Sequence, residues 1–162
     1  MQLTAAEFEP LAAEGVPYVG QLGCRVELFE PGKVLVRLPY QASLLRPGGT
    51  VCGPAMMALA DITLYGVVLS LIGRVELAVT SDLSIHFLAK ARPGDIVASG
   101  RMLRLGRVLA VGEVTIAAEN GGDPVAHATG TYAIPGTTRV QGRNIGHWDG
   151  VTRTGNEMDE SQ

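Results

Sequence analysis

Gly53-Pro54-Ala55-Met56-Met57-Ala58-Leu59-Ala60-Asp61-Ile62-Thr63-Leu64-Tyr65-Gly66-Val67-Val68-Leu69-Ser70-Leu71-Ile72-Gly73 decides how the rest of this chain must fold. Pro54 suits the first turn of a helix, where its missing N–H would be unpaired anyway. Ala55 to Ala60 are mostly good helix formers, and Gly73 is a natural stop. The helix carries one charge, Asp61, and is apolar on every face, so either protein or lipid must surround it. Its length alone would allow a membrane span. Asp61 near its middle makes that costly, and the flanks carry no cluster of Lys and Arg. The neighbouring segments look like strands in need of a packing partner. A buried core helix is therefore expected, with no membrane partner.

Upstream, Thr4–Glu14 reads as a short helix with a capping-box pattern, Thr4 and Glu7, stopped by Gly15 and Pro17. Cys24–Phe29 and Lys33–Leu38 are strand-like runs split by Glu30-Pro31-Gly32, which predicts a hairpin. Pro39–Gly53 reads as a loop. Downstream, Val79–Leu88 alternates, with Leu83, Ile85 and Phe87 on one face and Ser84 and His86 on the other. Ile96–Leu105 and Arg107–Glu119 are long strands joined near Gly106. Asn120-Gly121-Gly122-Asp123 is a hairpin turn, and Pro124–Ile134 is the last strand.

Strands, one apolar helix and then a run of antiparallel strands imply the α+β class, with a curled sheet wrapped around the helix. The exposed sheet edge favours pairing with a second subunit. The 162 residues fit one domain. We expect it to span 1–135, with its core at about 15–135 and a polar, Gly-rich tail at 136–162 whose one anchor candidate is Trp148. The formal charge of −3 argues against a nucleic-acid partner, which normally meets a basic face. Cys24 and Cys52 lack metal-ligand and CxxC spacing, so no metal is expected. The start, Met1 to Pro10, lacks an apolar signal core. Free thiols fit a reducing, cytoplasmic setting.

Asp61 is the leading site candidate. A carboxylate in a core costs several kcal/mol unless it is partnered, of order 2–7 even for a neutral polar group. It serves either as a structural hydrogen-bond acceptor or as a general base or nucleophile. Gly53 opens the helix, where free N–H groups and the positive dipole end can stabilise an oxyanion. Alternatively, the Gly48-Gly49 stretch and Gly53 merely turn the chain. Eight residues separate Gly53 from Asp61, a rise of about 12 Å. One substrate carbonyl cannot touch both within one helix. If both act, they must meet across two subunits.

Pro47-Gly-Gly-Thr-Val-Cys-Gly-Pro-Ala-Met-Met-Ala-Leu-Ala-Asp61 resembles the helix-entry motif of hotdog-fold acyl-CoA thioesterases of the phenylacetyl-CoA type. Ser84–Leu88 with Ala91-Arg-Pro-Gly-Asp95, and Leu105-Gly106-Arg107, resemble later motifs of that family in the same order. The resemblance covers roughly residues 15–135. It implies that Asp61 is the general base or nucleophile and that the Gly53 N–H is the oxyanion donor. It gives Thr80 a hydroxyl role beside the attacking water. It implies that Arg104, Arg107, Lys90 and Arg92 are candidates to meet the phosphates of coenzyme A, though each could equally be an ordinary solvated charge. Three positions depart from the pattern: Cys52 stands where the motif has histidine, Pro54 where it has its second glycine, and Arg46 where several members have asparagine or a similar polar residue. Cys52 is read as a small apolar filler rather than a nucleophile, because no partner base is evident. Leu64, Tyr65 and Val68 are candidates to line the acyl channel, though ordinary core packing would explain them equally well; His86 reads first as a surface or cleft histidine, with a channel role as the alternative.

The expectation is therefore an acyl-CoA thioesterase that is dimeric, or a dimer of dimers, with no cofactor beyond the coenzyme A of its substrate. Two alternatives stay open. One is a hotdog protein that binds acyl-CoA without turning it over. The other is a hotdog hydratase or dehydratase, which would place a histidine near Asp61.

Overall fold

The computed structural model describes residues 3–136, so the expected tail and Trp148 lie outside the described residues. In chain order the elements are α1 (Ala5–Gly15), α2 (Pro17–Leu22), β1 (Arg25–Glu30), β2 (Lys33–Leu38), β3 (Leu45–Arg46), β4 (Thr50–Val51), α3 (Gly53–Ile72), β5 (Val79–Phe87), β6 (Ile96–Leu105), β7 (Leu109–Ala118) and β8 (Ala126–Ala133). Six strands form one antiparallel sheet in the order β1-β2-β6-β7-β8-β5. This is the hotdog fold, an antiparallel sheet packed against one long apolar helix.

Twelve of the 20 residues of α3 are buried. The inward residues of the central strands explain how the helix sits so close. Ala98 and Gly100 on β6, Ala110 and Gly112 on β7, and Ala126, Ala128 and Gly130 on β8 are all buried and small. A Cβ added at Gly100 would lie 2.7 Å from Thr63 Cγ2, and one at Gly130 would lie 2.7 Å from Leu64 Cδ1. Carbon atoms normally pack at about 3.5–4.0 Å, so the helix occupies the space those side chains would need. On the far side, Phe8 of α1 packs on Phe29 and Tyr65, with ring centroids 5.2 and 5.8 Å away. The helix is thus largely covered by the chain's own sheet and N-terminal helix, as expected for a core helix.

Three local features differ from the sequence expectation. Pro17 does not only end the first helix; it stands at the first position of α2, which proline's fixed φ suits. The segment read as a loop carries a small ladder, with Leu45 and Arg46 paired to Val51 and Thr50. Gly48 and Gly49 turn it at φ 96° and 72°, a region open to glycine. The β5–β8 pairing has a bulge between Thr80 and Asp82. The extra residue reverses the alternation, so Thr80 joins Leu83 and Ile85 on the inner face.

Candidate active site

Asp61 lies in the third turn of α3, where the helix faces the start of β5 and the end of β8. Ala110, Tyr132 and Thr80 form one register row across β7, β8 and β5. The last two reach the helix. Thr80 Oγ1 donates to Asp61 Oδ1 at 2.7 Å, and Tyr132 Oη lies 2.7 Å from the same oxygen. Tyr132 Oη is also 3.0 Å from the Asp61 backbone carbonyl. Two donors on one carboxylate oxygen supply what burial takes away. Hydrogen bonds to a charged group contribute about 1.5–3 kcal/mol each.

Tyr132 was not singled out from the sequence. It is 3% exposed, and its ring stacks on Tyr65 with centroids 6.1 Å apart. Burial first, and the Asp61 charge next, push its phenol well above the ordinary tyrosine value. It therefore remains a proton donor at any working pH. One signal existed: Tyr132 breaks the run of small inward residues on β8, and a buried tyrosine hydroxyl needs a partner.

Beside this carboxylate lies a cavity of about 540 Å³, lined in part by Asp61, Thr80, Tyr132, Tyr65, Val19 and Tyr18. Its walls come from α1 and α2 on one side and from α3 and the lead into β5 on the other. Ala58, Ile62, Leu11 and Val79 make most of it apolar. Tyr65 lines this cavity. Leu64 does not: it is buried under the sheet with its two methyls over Gly130 and Gly112, because a one-residue step turns it about 100° around the helix. Val68 is likewise buried in the core.

Gly53 stands at the other end of this geometry. Its N–H is among the first four of α3, which have no carbonyl partner in the helix. A Cβ at Gly53 would lie 3.2 Å from Phe87 Cζ, so the end of β5 covers the helix entry. The entry is moored by Cys52 N–H to Leu44 O at 2.8 Å and by Val51 N–H to Ala91 O at 2.9 Å. Cys52 is the N-cap residue, half-buried, and its side chain makes no capping bond. Within one chain, Asp61 and Gly53 remain at opposite ends of β5.

The candidate phosphate contacts divide between those ends. Lys90 and Arg92 are exposed and flank Ala91, at the Gly53 end. Arg104 and Arg107 are exposed at the β6–β7 turn. That turn lies at the Asp61 end, since Leu109 pairs with Ala133 and Ala133 with Val79. Arg46 is exposed on the β3–β4 ladder. His86 is exposed on the outer face of the sheet opposite His127, away from the cavity. Among the described residues, no cluster of three or more His, Cys, Asp and Glu could hold a metal ion.

Comparisons with known proteins converge on one family. Residues 48–125 match the family model described as the thioesterase superfamily. A proposed esterase of Saccharolobus solfataricus is 30% identical over 122 residues, covering 75% of this chain and 85% of that protein. The crystal structure of a proposed thioesterase from a Silicibacter species superposes with a TM-score of 0.74 at 39% identity, covering 82% of this chain and 92% of the other. A mutant of the phenylacetic acid degradation protein PaaI from Thermus thermophilus gives a TM-score of 0.66 at 26% identity, covering 74% of this chain and 100% of the other.

Proposed function

The chain belongs to the thioesterase superfamily, and from that premise we propose that it hydrolyses acyl-CoA thioesters at a site built by two subunits. The observation that carries the proposal is Asp61. It is the one charge in an apolar helix, held by Thr80 and Tyr132 at 2.7 Å each, and it borders an apolar cavity. A carboxylate so held can take a proton from water as the water attacks the thioester carbonyl. The carbonyl oxygen becomes an oxyanion, and a backbone N–H at a helix N-terminus stabilises it. The tetrahedral intermediate then expels the coenzyme A thiolate and leaves the carboxylic acid. If the carboxylate attacks directly, a mixed anhydride forms and water cleaves it. Neither route needs a redox group.

The sheet edge supports the two-subunit reading. β5 is one of the two edge strands of the sheet, and Leu77, Val79, Phe87 and Leu88 on and around it are exposed. An unpaired apolar edge favours addition of another strand. Two copies of β5 paired antiparallel about Leu83 would bring the Thr80 end of one beside the Phe87 end of the other. Asp61 of one subunit would then meet Gly53 of its partner. Arg104 and Arg107 would converge with the partner's Lys90 and the partner's Arg92, four cations for the phosphates of coenzyme A. A dimer, or a dimer of dimers, is the proposed assembly, and the free thiols Cys24 and Cys52 fit a cytoplasmic location.

The acyl group would occupy the cavity of about 540 Å³, within the usual range for small-ligand sites, about 300–1,000 Å³. The test is a panel of acyl-CoA esters with free thiol release as the readout, comparing wild type with Asp61→Asn. Hydrolysis by wild type and its loss in Asp61→Asn are expected. Equal activity in both would refute the site, and binding without turnover would favour an acyl-CoA carrier, the reading that the Cys52 and Arg46 departures leave open.

A further inference from the structure

The two oxygens of Asp61 are not equivalent. Oδ1 takes both hydroxyls, from Thr80 and from Tyr132. Oδ2 has no hydrogen bond from the described residues. Yet among those residues no side-chain nitrogen or oxygen is buried without a partner, so Oδ2 is accessible, and Asp61 lines the cavity. The Tyr132 hydroxyl also contacts the Asp61 backbone carbonyl at 3.0 Å. It therefore ties the side chain to its own helix turn as well as to the sheet.

We propose that Tyr132 is the positioning residue of this site: with Thr80 it occupies Oδ1 and leaves Oδ2 as the oxygen that reacts. This rests on the thioesterase reading above. Packing alone would be met by phenylalanine. Tyr132 is fully enclosed, pressed on Tyr65 and backed by Ala110, and a hydroxyl placed there is costly unless it is paired. Its pairing is with the one carboxylate of α3. Thr80 alone would leave the carboxylate free to rotate about its last torsion, which is broad and nearly two-fold for aspartate. A second donor converging on the same oxygen from a different strand sets that torsion. The reacting oxygen is then presented to the cavity in one orientation, which is the geometry that makes an attack step fast.

The experiment has two arms. In the first, Tyr132→Phe is assayed on the best acyl-CoA ester of the panel. The expected result is a fall in kcat of about ten- to a hundredfold with KM nearly unchanged. Wild-type kcat, or a loss that falls on KM and not on kcat, would overturn the proposal while leaving the Asp61→Asn result, and so the thioesterase reading, intact. The second arm needs neither activity nor a Tyr132 variant. With 13Cζ-labelled tyrosine, the Tyr132 signal at neutral pH should move between wild type and Asp61→Asn, because its hydroxyl loses the carboxylate oxygen 2.7 Å away. A Tyr132 signal unchanged between the two proteins would overturn the contact itself, even if no acyl-CoA ester were hydrolysed.

Discussion

Substituting Gly130 with alanine tests how the sheet holds the helix that carries Asp61. The new Cβ would lie 2.7 Å from Leu64 Cδ1, 3.1 Å from the Asp82 carbonyl oxygen and 3.2 Å from Leu83 Cδ1. Leu64 cannot swing aside, because it is 1% exposed and its other methyl already fills the space over Gly112. Gly130 does not have a positive φ, so alanine costs nothing there through backbone strain. The cost is overpacking, about 1–3 kcal/mol. For a domain of this size each kcal/mol lowers Tm by roughly 2–4 °C. Leu64→Ala alone should cost about 2–5 kcal/mol by leaving a cavity. The double variant should cost about 1–2 kcal/mol less than the sum, because the clash disappears and the new methyl enters part of the hole. Denaturant unfolding at one fixed protein concentration reads all three, since an oligomer's stability depends on concentration. Gly130 is two residues from Tyr132 and Leu64 three from Asp61, so kcat should fall in Gly130→Ala too. Unfolding free energies within about 0.5 kcal/mol of wild type for Gly130→Ala, a surface-like effect, or strict additivity, would refute this packing.

The remaining expectations concern the cavity, the thiols and the acid limit. Val19→Trp should fill part of the cavity, cutting kcat/KM for bulky acyl groups about tenfold or more while sparing acetyl-CoA; an equal loss on both would contradict the assignment of the acyl site. Cys52→Ser should hydrolyse thioesters at close to the wild-type rate, and collapse with the fold retained would show that the thiol takes part. In that variant the remaining thiol, Cys24, is pushed up to about 11 by burial and should resist a disulfide reagent at pH 8 until the chain unfolds; prompt labelling of the native protein would contradict that. The Tyr40 N–H, at 2.8 Å, and Arg37 hold Asp95 below the usual carboxylate range. Its stabilising effect is present above its unfolded value and is lost as pH falls through the folded one. The destabilisation by Asp95→Asn should therefore shrink between pH 7 and pH 3, and a penalty that does not change with pH would be inconsistent with these contacts.

What could be read from the sequence was punctuation and period. Gly53-Pro54 and Gly73 bracket α3 closely, because both ends carry their own chemistry. Pro31-Gly32 and Asn120–Asp123 announce the two hairpins in the same way. Pro17 misled because one residue both ends a helix and begins the next. The β3–β4 ladder is two residues long on each side, too short for any alternation to register. Thr80 came from resemblance alone; strict alternation from Leu83 would turn it outward, and only the bulge after it brings its hydroxyl to Asp61. Tyr132 could not be paired with Asp61 from sequence, since 71 residues separate them and only strand order brings them together. Leu64 and Tyr65, adjacent in sequence, parted because the helix gives one to the sheet and the other to the cavity.

The two-subunit site is tested most directly by mixing two inactive variants. Asp61→Asn removes the carboxylate. Gly53→Pro removes the N–H at a position where the preceding Cys52 is already extended, at φ −74° and ψ 152°. After dissociation and reassociation at equal amounts, half of the dimers are mixed, and each mixed dimer would hold one site with an intact Asp61 and an intact Gly53 from opposite subunits. The account predicts that activity returns to about a quarter of the wild-type rate. A mixture as inactive as its two parents, with mixed dimers shown to be present, would contradict it.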